Sequence, residues 1–311
     1  MSRLGILPLC AVFALSGCSA SSLAPSNGSL AQVAAKQLGQ APRQNCIASI
    51  LEFLSDNSKG EVYVYNNGSS SACLTITHVV PLGMDVGNTV ALGPSVLFVA
   101  SALTHKIYAY KPPYTAVSQT ITDPAGQPFD VTLCKGYIAA PHRLSNTISI
   151  FSYAGALLRV LSAPAGTNEN FATCDGSANL YTDGTAGAST VVTEFAGGKG
   201  APIVLNAVGA AVAKPGGLEW ENGALWVDDQ TGLDISIWPP PFTSSSATIH
   251  LSGAADPIKF EVSPSDAVIL SADAGLDRGI FYNLAGSPIG VLNPFVAGGS
   301  LVGANFNKDD P

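Results

Sequence analysis

The chain has 311 residues, of which only 12% are charged, and its formal net charge at pH 7 is -8. A typical globular protein has about 25% charged residues. The acidic balance excludes a nucleic-acid partner, because no basic stripe is present to neutralise phosphates. The 32 glycines and 21 prolines favour β-structure with many tight turns, and the length suits one closed all-β domain.

Residues 1–17 have the features of a targeting segment. A positively charged start precedes an apolar run that is too short to span a bilayer, and the run ends in Leu15-Ser16-Gly17-Cys18. This tetrapeptide resembles the bacterial lipoprotein signal, in which the cysteine is acylated and becomes the new N-terminus. The resemblance implies a protein of the bacterial cell envelope, attached to the membrane through lipid on Cys18 and facing the periplasm or the cell exterior. An ordinary secretory signal cleaved near Ala20 is the alternative.

Residues 18–45 are predicted to be a flexible tether. They are rich in Ser, Ala, Gln and Asn, a composition that does not bury a core. As a coil, the tether would span roughly 30 Å. A short helix within Ser29 to Gln40 would be marginal without tertiary support.

Residues 46–311 contain a sixfold repeat. Three sets of apolar or aromatic residues recur in step, with intervals in the low forties. The sets are Phe53, Leu97, Tyr137, Leu180, Leu225 and Ile269; Tyr65, Tyr110, Phe151, Phe195, Trp238 and Tyr282; and Ile76, Ile121, Leu161, Leu205, Ile249 and Leu292. Short apolar segments at this period, separated by Gly, Pro, Asn and Asp turns, are typical of β-propeller blades rather than of helical repeats.

A further strand is predicted before each repeat, giving four strands per blade. Five such strands are visible, at 83–86, 129–132, 170–173, 217–220 and 259–262, but none precedes the first repeat. The C-terminal segment Ser300 to Asn305 has the pattern of the missing strand. We therefore predict an all-β, six-bladed β-propeller of four-stranded blades, closed by a C-terminal strand in the first blade.

Several segments resemble NHL-type repeats, with the pattern P-x-G-apolar followed by an aspartate at the end of the next strand. They are residues 81–84, 175–181 and 215–228. The resemblance covers residues 46 to 311 and implies a propeller. The aspartates at the strand ends are Asp56, Asp183, Asp228 and Asp273. We expect them to accept hydrogen bonds from backbone N–H groups in the following turns rather than to bind metal.

The same pattern is similar to the gluconolactonase and senescence-marker proteins, which are six-bladed and metal-dependent. Where that family has an Asp or Asn ligand, this chain has Leu82 and Gly216, which have no ligating side chain. Polar residues on the proposed inner strands are candidate channel-lining residues: Asp85, Asp130, Asn170, Glu219, Glu261 and Asn305. They line either a water-filled axial channel or a site for a hard divalent cation. We expect no cofactor and no metal residues.

Four cysteines remain beyond Cys18 in the mature chain. An even count outside the cytoplasm favours disulfides, and the positions favour Cys46 with Cys73 and Cys134 with Cys174 among three possible pairings. Buried free thiols are the alternative for Cys134 and Cys174.

Two equivalent loops contain an aromatic residue after consecutive prolines. Tyr114 and Phe242 are candidate surface-contact residues, because the prolines hold these turns extended. In the alternative, each ring folds back over the edge of a blade.

No catalytic motif is present, so we predict a binding or scaffold module for a protein or glycan, acting as a monomer. The alternative is a metal-assisted hydrolase or lactonase that uses the inner carboxylates. The propeller fold supports both classes of function.

Overall fold

The computed structural model describes residues 46, 51–67, 69–77, 83–89, 93–206, 209, 211–263, 268–294 and 298–306, with backbone alone for 85–89 and 93–95. The predicted signal segment (1–17) and tether (18–45), with Cys18, lie outside the described residues. Within these ranges, no helix has the length and apolar character needed to cross a membrane.

The described residues form 24 β-strands and two single turns of 3-10 helix. The first half of the strands is β1 (Leu51–Asp56), β2 (Glu61–Asn66), β3 (Leu74–Thr77), β4 (Met84–Thr89), β5 (Gly93–Ser101), β6 (Lys106–Tyr110), β7 (Val117–Thr122), β8 (Thr132–Cys134), β9 (Tyr137–Pro141), β10 (Thr147–Phe151), β11 (Leu157–Ser162) and β12 (Thr167–Cys174). The second half is β13 (Leu180–Ala186), β14 (Ser189–Phe195), β15 (Ile203–Leu205), β16 (Pro215–Glu221), β17 (Ala224–Asp229), β18 (Asp234–Trp238), β19 (Ala247–His250), β20 (Pro257–Ser263), β21 (Val268–Asp273), β22 (Arg278–Asn283), β23 (Pro288–Leu292) and β24 (Leu301–Phe306).

The strands form six antiparallel sheets of four strands, and each sheet is one blade. From the axis outwards, blade 1 is β24-β1-β2-β3, blade 2 is β4 to β7, blade 3 is β8 to β11, blade 4 is β12 to β15, blade 5 is β16 to β19 and blade 6 is β20 to β23. Each inner strand contacts the inner strands of both neighbouring blades, from β4 round to β24. The chain is therefore a six-bladed β-propeller, and the predicted fold class is confirmed.

The closing strand also lies where the sequence predicts it. β24 pairs antiparallel with β1, with Phe53 opposite Asn305 and Asp56 opposite Leu301. The turn at the start of β24 is held as well, because the Ser300 N–H donates to Asp56 Oδ1 (3.1 Å) and the Asn57 N–H donates to the Ser300 carbonyl oxygen (3.0 Å). Both ends of the ring thus meet in one sheet, and no inner edge of blade 1 is left unpaired.

All 18 residues of the three sequence ladders lie in strands and are buried. Among the described residues, the apolar side chains form six clusters, one in each gap between neighbouring blades. Both faces of a blade are covered by its neighbours, which explains why β1 is buried along its whole length. The outermost strands have one open side, and in β11 the first four residues are exposed.

Blade 3 departs from the predicted boundaries. Its inner strand begins at Thr132 rather than at Phe129. Pro128 has no N–H to donate to a ladder, and the Phe129 carbonyl instead accepts a hydrogen bond from Gly83 N–H of blade 2 (2.7 Å). The consequence is that Asp130 lies in an extended segment just before the strand, close to the axis.

The ring has two faces, which we name by the direction of the inner strands. Inner strands begin at the entry face, which also has the turns that join the second and third strands of each blade. They end at the exit face. The chain joins the ring at the exit face, where β1 begins and where Cys46 is bonded to Cys73.

Candidate functional site

Five of the six predicted channel-lining residues lie in inner strands, and the sixth, Asp130, lies just before one. Asp130 is fully buried, and Glu219, Glu261 and Asn305 are each less than 10% exposed. Asn170 is half-buried in β12. Asp85 lies in β4, and its side chain is outside the description.

Lys259 is the axial residue that the sequence did not single out. This side chain in β20 is buried, and its Nζ donates to Asp130 Oδ1 at 2.6 Å and to the Met84 carbonyl oxygen at 3.0 Å. Blades 3 and 6 lie opposite each other in a six-membered ring, so the lysine crosses the axis. The Lys259 ammonium group therefore connects the inner-strand regions of blades 6, 3 and 2, which are far apart in the chain.

Burial and the lysine act in opposite directions on Asp130. Burial raises the pKa of its carboxyl group, while the charge and hydrogen bond of Lys259 lower it. The Ala172 N–H also donates to Asp130 Oδ2 at 3.3 Å, which favours the ionised form. Asp130 is thus a paired, desolvated group rather than a carboxylate open to a ligand.

Three of the other predicted residues, Glu219, Glu261 and Asn305, bridge neighbouring blades. The Val262 N–H of blade 6 donates to Glu219 Oε2 of blade 5 at 3.2 Å. Asn305 Nδ2 of blade 1 donates to Glu261 Oε2 of blade 6 at 3.4 Å. Each contact joins two inner strands side by side, so these residues contribute to the cohesion of the ring.

Three further buried carboxyl groups lie near the axis or just outside it. Burial raises the pKa of Glu169, and the hydroxyl groups of two nearby threonines partly offset this effect. Burial raises the pKa of Asp183 well above its ordinary value, and repulsion from Glu169, Asp130 and Asp228 adds to it, although the Phe171 N–H donates to its Oδ1 (3.0 Å). Burial and, to a smaller extent, repulsion from neighbouring aspartates raise the pKa of the Asp228 carboxyl group well above its ordinary value. These carboxyl groups are consequently biased towards the neutral form.

Two of the four predicted strand-end aspartates, Asp56 and Asp273, accept backbone hydrogen bonds from adjoining loops, and the other two predictions are corrected. Asp183 lies within β13 and accepts from the Phe171 N–H of β12 rather than from a following turn. Asp56, Asp273 and Asp229 each bind amides of the adjoining loops, whereas the prediction for blade 5 was Asp228. The donors are Lys59 and Ser300 for Asp56, Ala255 and Leu276 for Asp273, and Ala213 and Thr231 for Asp229. Asp229 pairs with Pro215 as Asp273 pairs with Pro257, so the equivalent position in blade 5 is one residue later.

No metal centre is formed by the residues that the structure describes: no three His, Cys, Asp or Glu side chains converge closely enough to hold an ion. Gly216 occupies one of the positions where lactonase-like proteins have a ligand, and the structure has no space for a larger side chain there. A Cβ atom there would overlap the carboxylate of Asp228. Leu82, the other departure from that family, lies outside the described residues.

The expectation that Tyr114 and Phe242 are surface contacts is wrong. Tyr114 is 2% exposed and packs edge-on against Phe53 of blade 1, with ring centroids 5.4 Å apart. Phe242 is 8% exposed and packs against Tyr181 of blade 4 at 5.7 Å. Both residues have positive φ values, which turn the chain back after the prolines so that each ring covers a gap between blades.

The predicted disulfide pairing is confirmed. Cys46 is bonded to Cys73, with Cα atoms 5.4 Å apart, and Cys134 to Cys174, with Cα atoms 5.5 Å apart. The second bond links the inner strands of blades 3 and 4 where they end at the exit face. Disulfides are typical of oxidising compartments, so this is an extracytoplasmic protein.

Among the described residues, the most exposed large apolar side chains lie on the entry face. Leu103 is 76% exposed in the turn between β5 and β6, and Leu144 is 72% exposed in the turn between β9 and β10. The two turns are equivalent in neighbouring blades 2 and 3. Beside Leu144, the exposed Arg143 guanidinium lies 4.8 Å from the centroid of the Phe129 ring. We call these four residues the entry-face patch. Isolated leucines in turns have no repeat signature, so this patch could not be predicted from the sequence.

Comparisons with solved structures show the same fold. One chain of the structure titled "Crystal structure of Nidogen/Laminin Complex" superposes with a TM-score of 0.70 at 15% identity, covering 85% of this chain and 100% of that chain. A protein of unknown function from Bacteroides caccae superposes with a TM-score of 0.50 at 16% identity, covering 65% and 73%. No protein-family model and no curated protein matches the sequence.

Proposed function

We propose that the protein is a lipid-anchored, extracytoplasmic β-propeller that binds a protein partner through the entry-face patch. The observation that carries this proposal is the exposure of Leu103 and Leu144 in equivalent turns of adjacent blades. Exposed apolar side chains on one face of a protein are candidate contact points for a partner. A cation beside them, Arg143, is a residue type enriched in interfaces.

The geometry of the ring suits this arrangement. The chain that leads back to Cys18 joins the ring at the exit face, near Cys46. The entry-face patch lies on the opposite face of the ring from this junction. The nidogen/laminin neighbour comes from a complex of two proteins, which supports protein binding as a use of this fold. A glycan is the other class of partner and forms a separate outcome of the test below.

The alternative, a metal-assisted hydrolase that uses the inner carboxylates, has less support. A cation would need free carboxylate oxygens at the axis. Asp130 is engaged by Lys259, and Glu169 and Asp183 have raised pKa values, which disfavours the ionised form that a metal requires. The binding function is therefore the one that the geometry supports best.

The patch can be tested by substituting both leucines. We expect Leu103→Asp/Leu144→Asp to reduce recovery of the bound protein at least tenfold in capture from solubilised envelopes, because desolvation of the new carboxylates opposes binding. The control is Leu157→Asp/Leu158→Asp, on the outer strand of blade 3, where the leucines are 40% and 49% exposed. Equal recovery by both variants, or a carbohydrate as the captured species, would contradict the proposal.

The anchor has its own test. Cys18→Ser removes the sulfur that is acylated in lipoproteins, so we expect the variant to incorporate no radiolabelled palmitate and to remain uncleaved by the lipoprotein-specific peptidase. Cys10→Ser, which leaves the proposed lipidation site intact, should be labelled like the parent. Label in the Cys18→Ser variant would show that the lipoprotein interpretation is wrong.

A further inference from the structure

Four exposed cations lie on the exit side of blades 2 to 4. Lys111 is in the loop between β6 and β7, Lys135 in the turn between β8 and β9, and Lys199 in the loop between β14 and β15. All three connections lie at the exit face, where inner strands end and outer strands begin. Arg159 is the third residue of β11, which begins at the same face. We call these four residues the basic rim.

The members of the basic rim in blades 2 and 3 are neighbours. Lys111 and Tyr153 line one cavity of about 320 Å³ between these blades. The Tyr153 hydroxyl group donates to the Cys134 carbonyl oxygen (2.6 Å) and accepts from the Gly136 N–H (2.9 Å). Lys135 lies between those two residues in the chain, so Tyr153 connects the backbone around Lys135 with the cavity beside Lys111.

The members in blades 3 and 4 are also joined. Arg159 Nη1 donates to the carbonyl oxygen of Gly198, the residue that precedes Lys199, at 2.9 Å. Gly198 packs against the Tyr137 ring, since a Cβ atom there would overlap it, and Tyr137 follows Lys135 by two residues. The basic rim is therefore continuous from the loop of blade 2 to the loop of blade 4.

Acidic residues are concentrated at the opposite face. The aspartates at the entry face are Asp56, Asp183, Asp228, Asp229, Asp234, Asp256, Asp273 and Asp277. The net charge of -8 is therefore unevenly distributed across the ring. An anionic surface attracts the exit side of blades 2 to 4 and repels the entry face, so it orients the molecule.

Blade 4 also has two acidic residues on the exit side. The Asp175 carboxylate accepts from the Ser177 and Asn179 N–H groups of its own turn, at 2.9 and 2.8 Å. Glu194 lies opposite Tyr181 on the face of blade 4 that packs against blade 5. Burial raises the pKa of the Glu194 carboxyl group, and repulsion from Asp175 adds to this effect. The four cations of the basic rim outnumber these two groups.

Exposed apolar residues accompany the cations. The outer strands of blades 2 and 4 begin at the exit face with Val117 and Ile203, which are 45% and 52% exposed. The combination suits a membrane interface, where cations contact phosphates and apolar side chains enter the boundary with the acyl chains. It is separate from the entry-face patch, because the two lie on opposite faces of the ring.

We propose that the exit side of blades 2 to 4 lies on an anionic phospholipid bilayer, with the basic rim in contact with the lipid phosphates. The cavity beside Lys111 has a volume that suits one head group, whose phosphate accepts from the lysine ammonium group. Ser118 and Gln119 line the same cavity and face the uncharged part of the head group. The inference needs neither an acyl chain on Cys18 nor the proposed protein partner of the entry face.

The test uses residues 19–311, which lack the proposed targeting segment and the acylated cysteine. All 24 described strands and both disulfides lie within this range, so the ring is complete. Binding is measured by sedimentation with vesicles of phosphatidylcholine alone or of phosphatidylcholine with an equal share of phosphatidylglycerol. Each basic residue near an anionic surface strengthens binding about fivefold. We therefore expect at least tenfold tighter binding to the vesicles that contain phosphatidylglycerol.

Two matched double variants locate the contact. Lys111→Glu/Lys135→Glu reverses two charges of the basic rim and should weaken binding to the anionic vesicles at least tenfold. Lys106→Glu/Lys214→Glu changes the net charge equally, but both lysines lie on the entry side, so it should change binding less than threefold. Circular dichroism and the melting temperature show that each variant is folded.

Glycerol 1-phosphate has the chemistry of the head group without a bilayer, and an excess of it should not release the bound protein. Release would show a site for a soluble anion and would overturn the proposal. Equal binding to the two kinds of vesicle, or equal binding by the two double variants, would overturn it as well. The palmitate and capture experiments do not depend on this result, because neither changes Lys111 or Lys135.

Discussion

Deletion of residues 299–311 should leave a chain that no longer folds into a closed ring. The deletion removes β24, which supplies the inner strand of blade 1 and contacts β20, β21 and β4. Leu301 and Phe306 are almost completely buried in the cluster between blades 6 and 1, and each contributes roughly 1.5 to 3 kcal/mol. A ladder of hydrogen bonds to β1 is lost as well. Set against a total stability of about 5 to 15 kcal/mol, these losses are decisive.

The measurement is a thermal melt and size-exclusion chromatography of the unlipidated variant. The matched control removes only residues 307–311, which follow β24, and should melt within a few degrees of the parent. A graded variant, Leu301→Ala, should lose about 2 to 5 kcal/mol and still fold. If the long deletion melts like the short one, closure by β24 does not hold the ring together.

The ring could be predicted from the sequence because its signals are repeated. One apolar residue in a strand is weak evidence, but three sets that recur six times in step leave few alternatives, and all their members are buried in strands. The closing strand followed from counting five inner strands where six were needed. Disulfide pairing followed from the same alignment, because Cys134 and Cys174 occupy similar places in adjacent blades.

Single, unrepeated features could not be predicted in the same way. Whether Tyr114 points outwards or inwards depends on the gap between blades 1 and 2, where Phe53 offers a ring to pack against. The partner of Asp130 is 129 residues away in the chain, and only the closed ring brings Lys259 to it. The shift from Asp228 to Asp229 reflects a one-residue difference in register, which local composition does not reveal.

The axial ion pair gives the second large expected effect. Lys259→Ala leaves the Asp130 carboxylate buried without its main counter-charge, a change that typically costs about 3 to 5 kcal/mol. The matched control is Lys214→Ala, which breaks a surface ion pair with Asp256. The side chain of Lys214 is 53% exposed and that of Asp256 is 38% exposed. Such surface pairs contribute about 0 to 1 kcal/mol. Urea denaturation of the two variants and the parent measures the change in the free energy of unfolding.

The pH dependence of the Lys259→Ala variant distinguishes an unpaired charge from a simple loss of packing. Lys259 lowers the pKa of Asp130 against the raising effect of burial, so its removal raises that pKa further. Below the new folded-state pKa and above the ordinary one, the folded chain binds a proton that the unfolded chain does not, so acidification stabilises the fold. The difference in the free energy of unfolding between the variant and the parent should therefore shrink as the pH falls from 7 towards 5.

The double variant Lys259→Met/Asp130→Asn, which has no charge on this pair of side chains, should recover most of the lost stability at pH 7. A gap that stays constant with pH, and is not reduced in the double variant, would show that the lysine acts through its aliphatic chain and not through its charge.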